Sequence, residues 1–189
     1  MTRLFVTLAS SLALAAVALV PREASAIERQ HHLGLAPSLS MLKVDAKSSL
    51  SVGAGLGVHY TYGINDQFNL MAEVNASIVA AKQQQDMPTS PHTRPAEVDH
   101  ALLGVGYVID VLQWVPYFGV LAGGYRLAGG TLDDALLIFG GAAELGLDYQ
   151  VARNWAVGVA GQQHFLLTKM STYPSYTTLM LRFEYSWGF

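Results

Sequence analysis

The 189-residue chain has no cysteine, which excludes a disulfide framework, a thiolate metal site, a cysteine nucleophile and a lipid-modified cysteine anchor. Charged residues make up only 13% of the chain, against roughly 25% in an ordinary soluble domain. Their formal sum is −3, so the chain lacks the basic surface that nucleic-acid binding needs. Hydrophobic residues make up 51%, and the mean hydropathy of +0.30 points toward a membrane.

The N-terminus has the three parts of a secretory signal peptide. Arg3 supplies the positive charge, residues 4–20 form the apolar stretch, and Ala24-Ser25-Ala26 supplies small residues before a cleavage site. We therefore predict that residues 1–26 are removed and that residues 27–189 form one domain. An uncleaved anchor helix is the alternative, and the short apolar stretch disfavours it.

Beyond residue 26 the chain lacks an apolar run of the ~20 residues that a membrane-spanning helix needs. The longest apolar stretches, residues 115–125 and 135–143, are rich in glycine. The hydrophobic residues instead recur with period two in short segments, which is the signal of a β-strand. Only helices and closed barrels satisfy every backbone polar group inside a bilayer, so an exported, apolar, strand-rich chain predicts a closed barrel.

The two faces of the alternating segments differ in character. In the last segment, bulky residues occupy one face (Leu179, Leu181, Phe183, Tyr185, Trp187 and Phe189). Small or polar residues occupy the other (Met180, Arg182, Glu184, Ser186 and Gly188). Residues 50–62 and 68–80 repeat this division. We expect the bulky face to meet lipid and the small, polar face to fill a narrow lumen.

The turn signals divide the mature chain into eight strands. Short turns fall near Asn65, Leu112 and Ala152, and longer connections cover residues 43–49, 81–97, 128–135 and 167–175. These seven connections predict an all-β, eight-stranded antiparallel up-and-down barrel. The expected strands are 32–42, 50–62, 68–80, 100–109, 115–127, 136–149, 155–166 and 176–189. Because proline cannot donate to a strand ladder, Pro37 predicts a bulge or local distortion in the first strand.

Aromatic residues flank the short turns. Residues 62–68 align without a gap on residues 149–155, since each segment begins and ends with an aromatic residue around a polar turn. Aromatic rings favour the membrane–water interface, so we predict a girdle at one membrane face. The predicted girdle consists of Tyr62, Phe68, Tyr107, Trp114, Tyr149 and Trp155. Ordinary core aromatics near hairpins are the alternative.

Polar residues recur at matching distances from this girdle. Glu73, Glu144 and Glu184 each lie five residues along their strands from an aromatic residue at the strand end (Phe68, Tyr149 and Phe189), and Asn75, Gln162 and Arg182 lie seven residues from Phe68, Trp155 and Phe189. We predict that these six side chains form one buried layer in which three carboxylates share Arg182. Because an eight-stranded interior is only wide enough for side chains, the layer is expected to plug the barrel. A gated ion path or a proton-sensitive site is the alternative.

Few residues suggest catalysis or ligand binding. His164 could pair with Ser171 in a lipid-modifying hydrolase, but the close His and Ser spacing of known outer-membrane deacylases is absent. Asp133 and Asp134 could bind a divalent cation, although a solvated pair in a loop is the simpler interpretation. We therefore predict no enzymatic activity, no catalytic residue, no metal site and no cofactor. The long connection 81–97 contains a polar run at residues 83–95, and its composition does not indicate a binding partner.

Three parts of the chain resemble the small outer-membrane β-barrel family, the OmpA-domain and OmpX-like class. They are PYFGVLAGGY at residues 116–125, GLDYQVARNW at residues 146–155 and the aromatic C-terminal strand. The resemblance implies a location in the outer membrane of a Gram-negative bacterium, in contact with its lipid. It also implies that the barrel-assembly machinery reads the C-terminal strand. The residues that would carry this signal are Phe183, Tyr185, Trp187 and Phe189.

The family pattern does not specify one activity. With a filled lumen, we expect a monomer with a structural or surface-interaction role. An outer-membrane lipid-modifying enzyme and a narrow gated channel are the alternatives.

Overall fold

The computed structural model describes residues 29–42, 50–80, 94–109, 113–173 and 175–188. The strands are β1 His31–Leu42, β2 Ser51–Gly63, β3 Phe68–Val79, β4 Glu97–Val108, β5 Trp114–Ala128, β6 Leu136–Ala152, β7 Trp155–Phe165 and β8 Ser175–Trp187. A short 3-10 turn, Leu167–Lys169, precedes β8. Within the described ranges no helix is long and apolar enough to cross a membrane. The predicted signal peptide 1–26, the loop residues 81–93 and Phe189 lie outside the described residues.

Each strand pairs antiparallel with the next along the chain, and β8 pairs with β1 to close the barrel. The fold class predicted from the sequence is therefore confirmed, and the predicted strand limits agree within three residues. The C-terminal ends of β2, β4, β6 and β8 lie at one end of the barrel together with the N-terminal ends of β1, β3, β5 and β7, and we call this the short-turn end. The other end of each strand lies at the opposite end of the barrel, which we call the long-loop end.

The alternation of side chains divides the surface from the lumen as the sequence predicts. Bulky apolar residues point outward, and Leu103 and Leu137 keep 69% and 79% of their surface exposed. Polar residues of the same strands point inward, and Glu144 and Gln162 are almost fully buried. An apolar exterior around a polar interior is the arrangement of a barrel that sits in lipid.

Glycines on the inner face of β2 leave room for side chains of the two neighbouring strands, β1 and β3, to contact each other. At Gly55 an added Cβ would lie 2.7 Å from the Ser38 hydroxyl of β1 and would also collide with Ser77 of β3. Because no side chain intervenes, Asn75 of β3 donates to Ser38 across β2, at 3.0 Å. The small residues thus make room for polar contacts across the narrow lumen.

Pro37 interrupts one ladder without shifting it. Strand β1 pairs with β8 from His31 to Leu35 and from Ser38 to Leu42 in the same register, and it skips Ala36 and Pro37. On the other side, Pro37 keeps its place opposite Leu56 of β2. The predicted distortion is therefore a local gap in hydrogen bonding, without the extra residue of a bulge, because proline lacks the donor.

Candidate functional site: the side chains of the lumen

Arg182 of β8 lies at the centre of the lumen and contacts side chains from β5, β6 and β8. Its Nη1 donates to Glu144 Oε1 at 2.9 Å, and its Nε donates to Glu184 Oε1 at 3.1 Å. Its Nε also lies 3.6 Å from Asp148 Oδ1. Arg182 and the two glutamates are each at least 95% buried, so the ion pairs are shielded from solvent. Such a guanidinium fixes its partners, because its donors lie in a rigid plane.

Tyr117 of β5 joins the same cluster. Its hydroxyl donates to Glu144 Oε1 at 2.6 Å and accepts a hydrogen bond from Arg182 Nη1. The Tyr117 ring occupies the space above Gly146, where any Cβ would collide with the ring. A glycine at 146 is therefore required for Tyr117 to reach Glu144.

Glu73 of β3 has different partners from those the sequence predicts. Its Oε1 accepts from His100 Nε2 at 2.6 Å, and its Oε2 accepts from Gln162 Nε2 at 2.6 Å. Gln162 also donates to Glu144 Oε2 at 2.8 Å, which links this pair to Arg182. Glu73 is thus paired with an imidazole, and Arg182 contacts Asp148 as its third carboxylate.

Glu184 connects the network to β1 and β2. Its Oε1 lies 2.7 Å from His59 Nε2, and its Oε2 lies 3.4 Å from His32 Nδ1. The His59 ring occupies space beside Gly34 of β1, where any Cβ would collide with the ring. Four carboxylates in this region therefore face one guanidinium and three imidazoles. We call these connected residues the lumen network: Glu73, His100, Gln162, Glu144, Tyr117, Asp148, Arg182, Glu184, His59 and His32.

Asn75 lies outside the lumen network, although its position along β3 predicts membership. It exchanges hydrogen bonds with serines instead: its Nδ2 donates to Ser38, and Ser77 Oγ donates to its Oδ1 at 2.8 Å. Ser40 extends this chain by donating to Ser77 at 3.0 Å. Five of the six predicted residues are therefore connected, and the sixth belongs to a neighbouring serine cluster.

The sequence analysis did not include several members of the network. Asp148 lies four residues after Glu144 on β6 and so shares its inward face, which is a signal the alternation contains. His100 lies on β4, where apolar residues such as Leu102 and Leu103 occupy both faces and hide the alternation. His59 is on the predicted inner face of β2, but nothing in the sequence pairs it with Glu184, 125 residues away.

His164 of β7 is buried in an aromatic layer on the long-loop side of the network. Its ring stacks on Tyr176 with centroids 4.0 Å apart and meets the edge of Tyr125. Its ring nitrogens lie 3.2 Å from the Tyr125 hydroxyl and 3.1 Å from Thr178 Oγ1. With both nitrogens engaged and no exposed surface, His164 has no described contact with Ser171, so the geometry gives no support to a Ser–His hydrolase.

Apolar side chains close the lumen at the long-loop end. They come from four strands and from the connection between β7 and β8, are at most 2% exposed and belong to one packed cluster. We call them the outer plug: Leu42, Val79, Val98, Leu127, Leu166 and Tyr173.

On the short-turn side of Arg182 the lumen contains a small cavity of about 40 Å³. His32 Nε2, Asn69 Oδ1 and Asp148 Oδ1 belong to residues that line it, and they have no hydrogen-bond partner among the described residues. A cavity of this size holds a few water molecules at ~10–15 Å³ each. The polar lumen is thus suited to hydration from the short-turn end as far as the lumen network.

The six residues of the predicted girdle all lie at the short-turn end, with their rings directed outward. Neighbouring strands pair them: Phe68 with Tyr107 at 5.4 Å between ring centroids, and Trp114 with Tyr149 at 4.7 Å. Trp155 meets Tyr185 in the same way, at 5.1 Å. His31 stacks on Trp187 and contacts Tyr62, although the sequence analysis did not place it in the girdle. We call the six girdle residues together with His31, Tyr185 and Trp187 the aromatic band.

The outward face of β8 carries three of the four residues of the predicted assembly signal. Phe183, Tyr185 and Trp187 are 38–48% exposed and alternate with the inward Arg182 and Glu184. In the part of the chain that the structure describes, no group of three or more His, Asp or Glu residues is arranged to hold a metal ion.

Comparisons with known proteins agree with this architecture. Residues 11–189 match the family described as outer membrane protein beta-barrel domain. No curated protein sequence matches the chain significantly. Among solved structures, the attachment invasion locus protein Ail of Yersinia pestis is similar over 85% of this chain and 99% of its own, with 14% identity and a TM-score of 0.57.

Two further solved structures share the fold. Neisserial surface protein A has 13% identity and a TM-score of 0.60, over 84% of this chain and 97% of its own. The N-terminal barrel domain of Pseudomonas aeruginosa OprF has 10% identity and a TM-score of 0.59, over 86% and 100%. At these identities the structures show the fold alone, whereas the family match covers nearly the whole sequence. The chain therefore belongs to the outer membrane protein β-barrel family of the Gram-negative outer membrane.

Proposed function

We propose that this protein is a monomeric, non-conducting outer-membrane barrel that acts as a structural element and presents its long-loop end at the cell surface. The observation that carries this proposal is the filled lumen. Arg182, Glu144 and Glu184 occupy its centre, and the apolar outer plug occupies the long-loop end. Ions would have to displace ion pairs and packed apolar side chains, so the barrel serves as a scaffold without a pore or an active site.

Planar-bilayer conductance of the refolded protein tests the lumen. We expect no stepwise current above that of the lipid alone, in bilayers where a general porin conducts. The matched comparison is a variant with Tyr117→Ala, Tyr125→Ala and Arg182→Ala, which removes large side chains from two layers of the lumen. Regular current steps from the wild-type protein would contradict the proposal and favour the narrow channel.

Surface presentation can be tested with single cysteines, because the chain has none of its own. Asp134, in the loop between β5 and β6, is exposed at the long-loop end, and Asp66 is exposed in the turn between β2 and β3. We expect a membrane-impermeant maleimide to label Asp134→Cys on intact cells and to label Asp66→Cys only after the outer membrane is opened. The reverse pattern would show that the long loops face the periplasm.

The aromatic band is proposed to mark the periplasmic membrane–water boundary. All three tryptophans of the chain, Trp114, Trp155 and Trp187, lie at this end of the barrel. We expect lipids brominated close to the headgroup to quench their fluorescence more strongly than lipids brominated near the chain ends. Stronger quenching by the deep bromines would move the boundary away from the band.

The outward aromatic face of β8 is proposed as the signal for the barrel-assembly machinery. Replacing Phe183, Tyr185 and Trp187 together with Ser should slow folding into vesicles that contain the purified machinery. Folding into thin-bilayer vesicles without the machinery separates recognition from stability, because a purely structural loss slows both reactions equally. Equal slowing would contradict this role.

The monomeric state is tested by light scattering of the protein in detergent, which measures the mass of the protein in each micelle.

A further inference from the structure

A groove on the outer surface of the barrel lies between two sets of bulky side chains near the long-loop end. Small residues on three adjacent strands form its floor: Ala76 of β3, Ala101 of β4 and Gly124 of β5. Leu56 and Leu137 are among the residues at its sides, and its volume is about 590 Å³. At Gly124 an added Cβ would have no atom within 4 Å, so the floor is open to the membrane.

Charged side chains stand at the long-loop edge of this groove. Arg126 of β5 donates through Nη1 to Asp99 Oδ2 at 2.6 Å, and the same nitrogen lies 3.4 Å from Glu97 Oε2. Arg126 lies eight residues along β5 from Phe118, which pairs with Tyr107 of the aromatic band. With ~3.3 Å per residue and a tilt of about 40°, this distance is roughly 20 Å across the membrane. The charges therefore lie near the far edge of a ~25 Å apolar band, at headgroup depth.

The arrangement leaves part of Arg126 available to a ligand. Both hydrogen bonds of its guanidinium are donated by Nη1, and among the described residues Nε and Nη2 have no hydrogen-bond partner. The Arg126 side chain is 46% exposed, and those of Glu97 and Asp99 are 49% and 31% exposed. Arginine binds phosphate through paired N–H donors, and carboxylate oxygens bind the divalent cations that accompany lipid phosphates.

We propose that this groove binds lipid A, with one acyl chain lying over Gly124 and one phosphate bound by Arg126. Glu97 and Asp99 would share a divalent cation with the same phosphate, which offsets the net charge of −1 of the three side chains. This inference rests on the proposed orientation of the barrel. Lipid A fits because its phosphates and acyl chains lie in the outer leaflet, where a long-loop end at the cell surface places the groove. This site is separate from the lumen and goes beyond the scaffold role.

A second outward groove provides an internal comparison. It has a volume of about 690 Å³ and lies over Gly161 of β7, between Leu145 and Leu179. The polar pair on its long-loop side is neutral, since Thr177 donates to Gln163 at 2.7 Å. This groove accommodates acyl chains of any lipid, but it lacks a cation to select a phosphate.

Native mass spectrometry of the refolded, delipidated barrel tests the proposal. The probes are hexa-acylated diphosphoryl lipid A with Mg²⁺, the same lipid with EDTA, and phosphatidylglycerol. We expect one tightly bound lipid A, weaker binding with EDTA and weaker binding of phosphatidylglycerol. Arg126→Gln, which removes a charged donor, should weaken lipid A binding about tenfold. Gly124→Leu, which fills the floor, should weaken it similarly.

Gly161→Leu fills the second groove and is the matched control. We expect it to bind lipid A like the wild-type protein, and all three variants should retain the heat-modifiable gel mobility of a folded barrel. Unchanged binding in Arg126→Gln or in Gly124→Leu would overturn the proposal. Equal binding of phosphatidylglycerol with the same dependence on Arg126 would overturn lipid A as the ligand.

Discussion

The guanidinium of Arg182 lies over the ring of Tyr117, with Cζ 4.6 Å from the ring centroid, while the Tyr117 hydroxyl donates to Glu144. Tyr117 thus holds both partners of the central ion pair: the ring faces the cation and the hydroxyl faces the carboxylate. This geometry brings the three side chains into contact at the centre of the lumen. It also makes the stability of the barrel depend on a few buried side chains.

Replacement of Arg182 should destabilise the barrel more than replacement of any single glutamate. Arg182→Met leaves Glu144, Glu184 and Asp148 buried without their guanidinium, and loss of one partner of a buried pair costs ~3–5 kcal/mol. Glu73→Gln, Glu144→Gln and Glu184→Gln each remove a charge from an acid-rich cluster and should cost less. Urea unfolding of the four variants in lipid vesicles measures the differences.

A triple variant serves as the control for this prediction. Combining Arg182→Met with Glu144→Gln and Glu184→Gln removes two of the three uncompensated charges and should recover part of the lost free energy of unfolding. A neutral effect of Arg182→Met would show that the described ion pairs do not contribute to stability.

A cation on the outer surface should cost more near the middle of the apolar band than near its edge. Leu103 lies four residues along β4 from Tyr107, roughly 10 Å across the membrane at ~3.3 Å per residue and about 40° of tilt. Leu103→Arg should therefore lower the free energy of unfolding by ~2–4 kcal/mol. Ile78 lies at the far edge opposite Glu97, so Ile78→Arg should cost only ~0–1 kcal/mol. Equal costs, measured by unfolding in vesicles, would contradict the depths assigned to these residues.

Alanine should destabilise the barrel at a glycine of the inner face and have little effect at a glycine of the outer face. At Gly146 any Cβ collides with the Tyr117 ring, so Gly146→Ala should destabilise the barrel by ~1–3 kcal/mol. Gly124→Ala places its methyl group in open space on the outer face and should change stability by less than ~0.5 kcal/mol. Gly146→Ala should cost less stability in a Tyr117→Leu background, because the ring that meets the added methyl group is gone. Purely additive changes in the free energy of unfolding would rule out the clash.

Pro37 should weaken the seam between β1 and β8. Pro37→Leu supplies a backbone donor where the ladder skips two residues, and one added hydrogen bond is worth ~0.5–1.5 kcal/mol. We expect slower amide exchange at Leu181, whose N–H faces β1 opposite Pro37, and unchanged exchange on the β4–β5 pair. Faster exchange at the seam in the variant would show that the gap has a cause other than the missing donor.

The sequence alone determined the strands, their order and their faces. A period of two requires only that successive side chains of a strand point to opposite sides, so it can be read without knowing the neighbouring strands. The inward positions of Glu73, Glu144, Gln162, Arg182 and Glu184 follow from this rule, and so does the outward direction of the aromatic residues at the short turns. The two least periodic features, β4 and the Pro37 gap, are where the prediction was incomplete or needed correction.

Only the tertiary structure decided which side chains meet inside the barrel. Counting residues from the aromatic band places Glu73, Glu144 and Glu184 at one level, yet Glu73 binds His100 while Arg182 binds Glu144 and Glu184. The strands of a closed barrel are tilted and staggered, so equal positions along two strands do not give equal heights or facing directions. The length of each side chain and the glycine opposite it then select the partner, as Gly146 does for Tyr117 and Gly34 for His59. These choices depend on contacts between residues up to 125 positions apart, which no local pattern contains.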